Sequence, residues 1–285
     1  MLMKNDNLMQ TLLERRSIRR YQPRPLNNND RQTVDKIIKN SQALQPSIIT
    51  SINIHEINPQ INLVSLLGAY GRLVSPPYIL LPTTPDDPSA LINQGYQMQQ
   101  IVIHLYQQGI GSCYLGALGS FDRLREQFSL PENVSVGALL AFGYPADSLP
   151  GRTFNTLFRT AIGSSRRLPV EKVFFETSFD NPSLPPTNLR SIIDAGRMSP
   201  SAVNAQPWRF FHDRDALVLY RKRNNPKYGL SGQDYALFDC GICMANIQLA
   251  LQAADMPGKW HLLDDDSRVK YDTNPDLIPL AKLVL

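Results

Sequence analysis

The sequence predicts an α+β fold, because helical and strand-like patterns of apolar residues alternate along its 285 residues. Residues 93–108 repeat apolar side chains at intervals of three and four, which is the spacing of an amphipathic helix. Two uninterrupted apolar runs, 78–81 and 136–142, have the length of buried strands, and a hairpin over 210–220 adds two more. We therefore expect mixed β-sheets covered by helices.

Composition and charge indicate a soluble globular protein with a small-molecule ligand. Apolar residues make up 42% of the chain and charged residues 19%, and the net charge is +4. This mild basic excess suits an anionic small molecule at least as well as nucleic acid. The sequence lacks the long basic stripe with interleaved aromatics that nucleic-acid binders usually carry, so we expect no nucleic-acid partner.

Three further features bear on where the protein works. The chain has three cysteines, Cys113, Cys240 and Cys243, and a low odd number argues against a disulfide-stapled secreted domain. Residues 1–15 lack the apolar stretch of a signal peptide. We find no apolar run of the roughly 18 residues that span a bilayer. The expectation is a cytoplasmic protein with no membrane partner.

The elements of the first half follow from local signals of helix, strand and turn. Prolines in the segment 21–26 end the first helix, and Gly109 ends the longest one. In chain order we expect a short helix at 8–16, a second helix capped by Asn29 or Asp30, a strand at 78–81, a helix at 93–108, a glycine-bounded turn at 111–116 and a strand at 136–142.

A polar, proline-rich stretch at 180–186 is the best linker candidate, and a second set of elements follows it. That set contains a helix at 189–198, the hairpin, a long apolar helix at 235–254 and a terminal strand at 280–285. The two long helices echo each other, since Gly95, Met98, Ile101 and Leu105 recur at the same spacing as Gly241, Met244, Ile247 and Leu251. Such stripes also match by chance, so the echo alone leaves duplication and coincidence equally open.

Two arginine segments carry the first indication of chemistry. In the first, Arg15, Ser17 and Arg19 alternate where the chain leaves a helix, and the second contains Arg166 and Arg167. Arginine forks bind phosphate through paired hydrogen bonds, to which a serine hydroxyl adds another. The alternative interpretations are a solvated basic face for the first segment and an exposed loop for the second.

A loop at 199–210 is the second candidate for ligand binding. Prolines fix its two ends, and small residues between them allow a flat ring to approach the backbone. Ser201, Asn204 and Gln206 offer hydrogen-bonding groups at short intervals. The alternative is a plain helix-to-strand connection that places Trp208 in the core.

Together these segments resemble the nitroreductase family. That family opens with Arg-x-Ser-x-Arg/Lys and carries a Pro-Ser-x-x-Asn-x-Gln-Pro-Trp loop, which residues 200–208 match at every defined position. It also has a Gly-x-Gly turn after a helix, a strand ending in Gly-Tyr-Pro and an Arg-Lys/Arg-x-Pro-x-Glu segment, here at 109–111, 143–145 and 166–171. The resemblance covers most of the chain and implies an α+β nitroreductase-like fold.

The order of the motifs departs from that of ordinary members, in which the Pro-Ser loop follows the first segment by a few tens of residues. Here that place reads Gln45-Pro46-Ser47, and the complete loop follows the linker instead. Family members are homodimers with FMN between subunits, one supplying arginines and the other the loop. The resemblance therefore implies two fused nitroreductase-like halves, 1–178 with the arginines and 187–285 with the loop, in a monomeric pseudo-dimer or weak homodimer.

The resemblance also assigns residues to the FMN site. The phosphate falls to Arg15, Ser17, Arg166 and Arg167, with Arg16 in the same segment. The N1–O2 edge of the ring falls to Arg19 and Arg72, and its N5 to the backbone of Leu115 and Gly116. The ring and ribityl chain fall to Pro200, Ser201, Ala202 and Asn204, and Gln206 of the same loop is a further cofactor-binding residue.

The implied reaction runs in two steps, from NAD(P)H to FMN and from FMN to a nitroaromatic, quinone or similar acceptor. No side chain has to act as a general acid or base in it, so we name no catalytic residue and no metal ligand. One alternative is an FMN-binding protein without turnover, such as a sensor or a flavin carrier. A less favoured one is a thiol–disulfide oxidoreductase that uses Cys240 and Cys243.

Overall fold

The computed structural model describes residues 2–58, 61–67, 71, 74–116, 121–146, 166–213, 216–228 and 232–285. Its helices are α1 Leu2–Glu14, α2 Asn28–Asn40, α3 Leu63–Leu67, α4 Pro88–Gln107, α5 Phe121–Phe128, α6 Arg190–Arg197, α7 Ala236–Ala253 and α8 Asp265–Val269. Its strands are β1 Ser51–Glu56, β2 Tyr78–Pro85, β3 Gly111–Gly116, β4 Val134–Ser135, β5 Ala138–Gly143, β6 Phe174–Phe175, β7 Trp208–Asp213, β8 Ala216–Lys222, β9 Lys227–Tyr228, β10 Gln233–Asp234, β11 Lys259–Leu262 and β12 Leu277–Val284.

The two larger sheets have the same construction. The first has the order β1-β2-β5-β3, and the second contains β7-β8-β12-β11 in the corresponding order. The elements also follow one another alike along the chain, as helix, two strands, long helix and two strands. This correspondence confirms the predicted α+β fold with two similar halves fused in one chain. Only the second sheet is mixed, because β6 joins β7 in parallel.

The long helices α4 and α7 meet at the centre of the molecule, and glycines allow their close approach. A methyl group on Gly95 would overlap the carbonyl oxygen of Phe238, and one on Gly241 would overlap that of Ile92. Phe238 lies three residues before Gly241 in α7, and Ile92 lies three residues before Gly95 in α4, so the contact is reciprocal. The echo between the two helices in the sequence is therefore a real equivalence of position.

A buried hydrogen-bond chain crosses this helix pair. Tyr114 of β3 donates to Gln99 Oε1 at 3.1 Å, and Gln99 Nε2 donates to Asn246 Oδ1 at 2.8 Å. Asn246 Nδ2 then donates to the carbonyl of Ala195 at 3.0 Å. Satisfied polar networks in a core fix one arrangement of the groups around them. These three hydrogen bonds therefore link β3 of the first half to α6 of the second half.

Segments of the first half complete the core of the second half. Leu8 and Leu12 of α1 belong to the hydrophobic cluster that contains Trp208 and Phe210. Phe174 of β6, which lies before the linker, is in the same cluster and pairs with β7. The boundary between 178 and 187 stays a prediction, and packing crosses it in both of these places.

Helix α7 is a core helix. By length and composition alone it could cross a membrane, although we found no such run in the sequence. However, 78% of it is buried inside the protein, as expected for the central helix of a globular fold. Because helix α7 is covered by protein on most faces, its apolar composition has a structural explanation.

Two local predictions differ from the structure. The segment 111–116 is a strand, not a turn, and it pairs with β5 along its whole length. Its buried Cys113 and Leu115 face one cluster while Tyr114 faces another, an alternation that the flanking glycines concealed. The second helix is capped by Asn27, whose Oδ1 accepts from the Asp30 N–H at 2.8 Å, and not by Asn29 or Asp30.

We predict that Gly95→Ala lowers the free energy of unfolding by about 1–3 kcal/mol, because the added methyl overpacks the helix crossing. Gly109→Ala is a matched control, since nothing lies within 4 Å of its added methyl. It should cost about 1–2 kcal/mol for its left-handed backbone alone, without moving the helices apart. Chemical denaturation checks the values, and loss of the Gln99–Asn246 contact in the Gly95 variant alone checks the cause. A more stable Gly95→Ala protein would contradict the close crossing.

Candidate functional site

The first arginine segment lies where α1 ends and the chain passes to the first sheet. The Arg15 N–H closes the last turn of α1 by donating to Thr11 at 2.9 Å. Three residues later, the Ile18 N–H donates to the carbonyl of Ser112 in β3 at 2.9 Å. The segment is thus anchored on both sides, with α1 packed on the second half and β3 in the first.

The side chains of this segment differ in burial. Arg19 is 5% exposed, Arg15 and Ser17 are half-buried, and Arg16 is exposed. The solvated-face interpretation therefore fits Arg16 and does not fit Arg15 or Arg19. Arg72 lies outside the described residues.

Arg15 carries a charge that no carboxylate of the described residues neutralises. Burial lowers the pKa of its guanidinium, and the nearby positive charge of Arg19 lowers it further. Electrostatic interactions with Tyr114, Cys113 and Tyr106 raise this pKa in part, and no carboxylate of the described residues is among the groups that do so. A desolvated cation without a carboxylate partner is a favourable place for an anionic ligand.

Arg167 of the second arginine segment lies close enough to Arg15 for their charges to repel. Burial first, and then the charges of Arg15 and Arg197, lower the pKa of Arg167 to about 10. Arg197 is itself paired with Asp194 at 2.8 Å, so it is partly neutralised. The fold therefore brings together two arginines that the sequence separates by most of the first half.

The loop between α6 and β7 has a strained backbone. Val203, Asn204 and Gln206 have φ angles of 42°, 61° and 47°, in the left-handed region. Non-glycine residues there cost about 1 to 3 kcal/mol each and persist only when their surroundings hold them. Within the loop, the Gln206 N–H donates to Ser201 Oγ at 3.0 Å.

Polar side chains of this loop bind the second arginine segment. Asn204 Oδ1 accepts from Arg167 at 2.8 Å, and its Nδ2 donates to the carbonyl of Arg166 at 2.7 Å. Gln206 Oε1 accepts from the Leu168 N–H at 2.8 Å. Both residues were predicted to bind the cofactor, which stays a prediction. In the structure, Asn204 orients the side chain of Arg167, and Gln206 holds the backbone of residues 166–168. Arg166 is exposed and takes part here through its carbonyl.

Leu115 and Gly116 end β3, which is the edge strand of the first sheet. One backbone edge of β3 therefore has no strand beside it within the described part of the chain, which leaves N–H groups for a ligand. Tyr114, immediately before them, interacts electrostatically with both Arg15 and Asp239. The end of β3 is therefore near the first arginine segment and near the acid that bonds to the loop.

Asp239 is a residue of this region that the sequence analysis missed. It lies in the first turn of α7, is 3% exposed, and accepts from the Ala202 N–H at 3.0 Å. Burial raises the pKa of its carboxyl well above the usual range. The signal in the sequence was a single acid in a helix that is otherwise apolar on most faces.

The two cysteines of α7 are fully buried, and burial raises the pKa of both thiols. Cys243 Sγ donates to the carbonyl of Gly196 at 3.4 Å, at the end of α6. Gln97, its counterpart in α4, donates in the same way to the carbonyl of Ser41 at the end of α2. Cys243 therefore occupies a packing position, and a raised pKa suppresses the thiolate that redox chemistry needs.

Comparison with known proteins gives a family and a fold. A family described as "Putative TM nitroreductase" matches residues 7–272. The crystal structure of a putative nitroreductase from Thermotoga maritima superposes with a TM-score of 0.60 at 16% identity, covering 98% of this chain and 94% of that one. At that identity it shows the nitroreductase-like fold. No curated protein matches the chain.

Two further solved structures cover about half of this chain. An NADPH:FMN oxidoreductase from Vibrio harveyi aligns at 24% identity over 50% of this chain and 70% of its own, with a TM-score of 0.43. An FMN-dependent nitroreductase from Clostridium difficile aligns at 16% identity over 48% of this chain and 87% of its own, with a TM-score of 0.40.

We predict that inorganic phosphate stabilises the ligand-free protein against thermal unfolding, because an anion relieves the repulsion between Arg15 and Arg167. Arg15→Met should lose this stabilisation and unfold no more readily than wild type without phosphate, since it removes a desolvated charge. Arg123→Met, at an exposed position of α5, should respond to phosphate as the wild type does. Equal responses in all three proteins would mean a general salt effect and no anion site.

Proposed function

Because the chain belongs to the putative TM nitroreductase family and is therefore an oxidoreductase, we propose that it is an FMN-dependent NAD(P)H oxidoreductase. The observation that carries this proposal is the pair formed by Arg15 and Arg167. Burial lowers the pKa of both guanidinium groups, and the charge of Arg15 lowers that of Arg167 further. Asn204 of the second half accepts a hydrogen bond from Arg167 and holds it in place. The arrangement suits an anion bound between the two halves.

The residues present fit the phosphate of FMN. A phosphate dianion is poorly stable in a desolvated site unless cations pair with it, and two guanidinium groups provide such pairing. A bound anion also offsets the repulsion between the guanidinium groups of Arg15 and Arg167. The hydroxyl of Ser17 lies in the same segment and adds a hydrogen-bond donor. Arg16 and Arg166 are exposed, and we assign them supporting electrostatic roles only.

The flat ring of the flavin fits between the loop and the edge of the first sheet. Pro200, Ser201 and Ala202 form the near side of the loop, where their small side chains allow close approach. Gly116 directs its backbone N–H to the free edge of β3, the edge at which Ile18 bonds to Ser112, whereas the N–H of Leu115 is directed toward β5. The positive charge of Arg19, buried next to Arg15, raises the reduction potential of a ring placed there.

When bound, FMN supplies the chemistry, taking two electrons from NAD(P)H and passing them to a nitroaromatic, quinone or similar acceptor. The chain contributes binding, orientation and charge. Arg15 and Arg167 hold the phosphate, Asn204 fixes the direction of Arg167, and the strained loop keeps its shape before the ligand arrives. We assign no side chain to proton transfer.

We further propose that each chain binds one FMN. The residues 187–285 contain no Arg-x-Ser-x-Arg segment, and the first-half counterpart of the loop is the stub Gln45-Pro46-Ser47. In the structure, this stub is hydrogen-bonded to α4, because the Gln45 N–H donates to Asn93 Oδ1 at 3.0 Å. Only one side of the pseudo-symmetric molecule therefore combines arginines with a complete loop.

We predict that FMN binds at least ten times more tightly than riboflavin, because the arginine pair acts only on a phosphate. Arg15→Met should reduce this preference to a few-fold, whereas Arg123→Met should keep it. Isothermal titration with both flavins measures the effect. Equal affinities of the wild type for FMN and riboflavin would refute the phosphate assignment.

Steady-state oxidation of NADH and NADPH by the FMN-loaded protein, with a quinone as acceptor, tests turnover. We expect oxidation that depends on both FMN and the acceptor. A protein that binds FMN tightly but oxidises neither nucleotide would instead be a flavin sensor or carrier.

A further inference from the structure

One buried acid lies next to the loop that we assign to the flavin. Asp239 accepts a hydrogen bond from the Ala202 N–H, and among the described residues no other group bonds to its side chain. No lysine or arginine of the described chain forms an ion pair with it, and burial raises the pKa of its carboxyl, with Asp234 as a smaller contributor. An environment of this kind favours the protonated form of the carboxyl over the charged one.

The equivalent position of the first half shows what a side chain does there. Asn93 lies two residues before Gly95, as Asp239 lies two residues before Gly241. Asn93 Oδ1 accepts from the Gln45 N–H at 3.0 Å, in the connection that follows α2. Its Nδ2 donates to the carbonyl of Ile48 at 3.1 Å and to Thr50 at 3.2 Å. In both halves, this position of the long helix holds the loop after the preceding helix.

The two side chains differ in what they can hold. An amide donates as well as accepts, so Asn93 binds the stub at Gln45 and the residues after it at Ile48 and Thr50, which holds this connection against α4. The Asp239 carboxyl holds a single N–H and leaves the remainder of its loop free to bond elsewhere. That remainder, through Asn204 and Gln206, reaches the arginine segment of the first half.

The loop needs such an anchor, because three of its residues have left-handed backbone angles. Asn204 and Gln206 attach its far end to the first half, and the Ser201 hydroxyl bonds within the loop. The bond from Ala202 to Asp239 attaches the near end of the loop to α7 of its own half. Without it, the near end would lose its fixed distance from α7.

We infer that Asp239 is a positioning residue for FMN, whose carboxyl oxygen accepts the Ala202 N–H and keeps the loop in its binding conformation. This inference rests on the proposed function. It explains why a carboxyl is compatible with a site for an anion, since in its protonated form it accepts the N–H without adding negative charge. Among the described residues, the titratable groups that interact electrostatically with Asp239 are Asp234, Tyr114, Cys240 and Cys243, and Arg15 in turn interacts with Tyr114.

The test compares Asp239→Ala with Asp239→Asn in the full chain. Asp239→Ala removes the acceptor and should weaken FMN binding at least tenfold. Asp239→Asn keeps an acceptor oxygen and should bind FMN within threefold of wild type. Asn93→Ala is the matched control, since it removes the equivalent anchor of the first half, and it should lower stability while leaving the FMN affinity of the folded protein within threefold.

Two outcomes of the titration would overturn the inference. One is wild-type affinity in Asp239→Ala, which would mean that the anchor has no effect on the ligand. The other is equal loss in Asp239→Ala and Asp239→Asn, which would mean that the acceptor oxygen is not what the site requires. If Asp239→Ala does not fold, Ala202→Pro removes the N–H from the other side, at a position that follows the extended backbone of Ser201. It too should bind FMN at least tenfold more weakly, and unchanged affinity would overturn the inference.

Hydrogen exchange in the flavin-free protein separates this inference from the proposed function. The Ala202 amide should exchange at least tenfold faster in Asp239→Ala than in wild type, and at a near wild-type rate in Asp239→Asn. If the exchange rates follow this pattern but the wild-type protein binds no FMN, the proposed function is refuted while the anchoring role of Asp239 stands. Unchanged exchange in Asp239→Ala would refute the anchor whatever the protein binds.

Discussion

The close crossing of α4 and α7 is the constraint on which the structure of this protein depends. Backbone touches backbone at Gly95 and Gly241, so the two helices have almost no freedom to slide or separate. The buried bond between Gln99 and Asn246 adds a polar contact with a single good geometry. Each half builds its sheet around one of these helices, and the crossing therefore sets the position of one half relative to the other.

That relative position is what assembles the candidate site. Helix α1 and the residues around β6 belong to the first half in sequence, yet they pack into the core of the second. They bring Arg15 and Arg167 to the loop after α6. The site contains repelling arginines and left-handed residues, both of which are unfavourable locally. Large apolar clusters on either side offset these costs, and a bound anion would remove the first of them.

Much of the fold could be predicted from the sequence, because helical stripes and apolar runs report directly on which faces are buried. The long helices and the hairpin were recognised in this way. The strand at 111–116 was not, because its flanking glycines resembled a turn and its alternation covers only four residues. The extra strand β6 has two residues, too few for any periodic pattern.

For the candidate site, the sequence indicated which residues to consider but not how they contact one another. Motifs named the arginines and the loop, but their contacts depend on residues that are distant in the sequence. Nothing in the residues 200–208 indicates that Asn204 and Gln206 would bind the segment 166–168. Asp239 was missed because its role appears only when α7 is placed beside the loop, and its counterpart in the first half is an asparagine.

We expect the two similar halves of this protein to form one flavin site and not two, because the arginines come from one half and the complete loop from the other. The most direct test is the number of FMN molecules bound per chain, obtained by titrating protein at a concentration far above the dissociation constant. A break at one FMN per chain is the result that the account predicts. A break at two would show that the second cleft binds flavin without the arginine segment, and it would contradict the assignment of the site to both halves together.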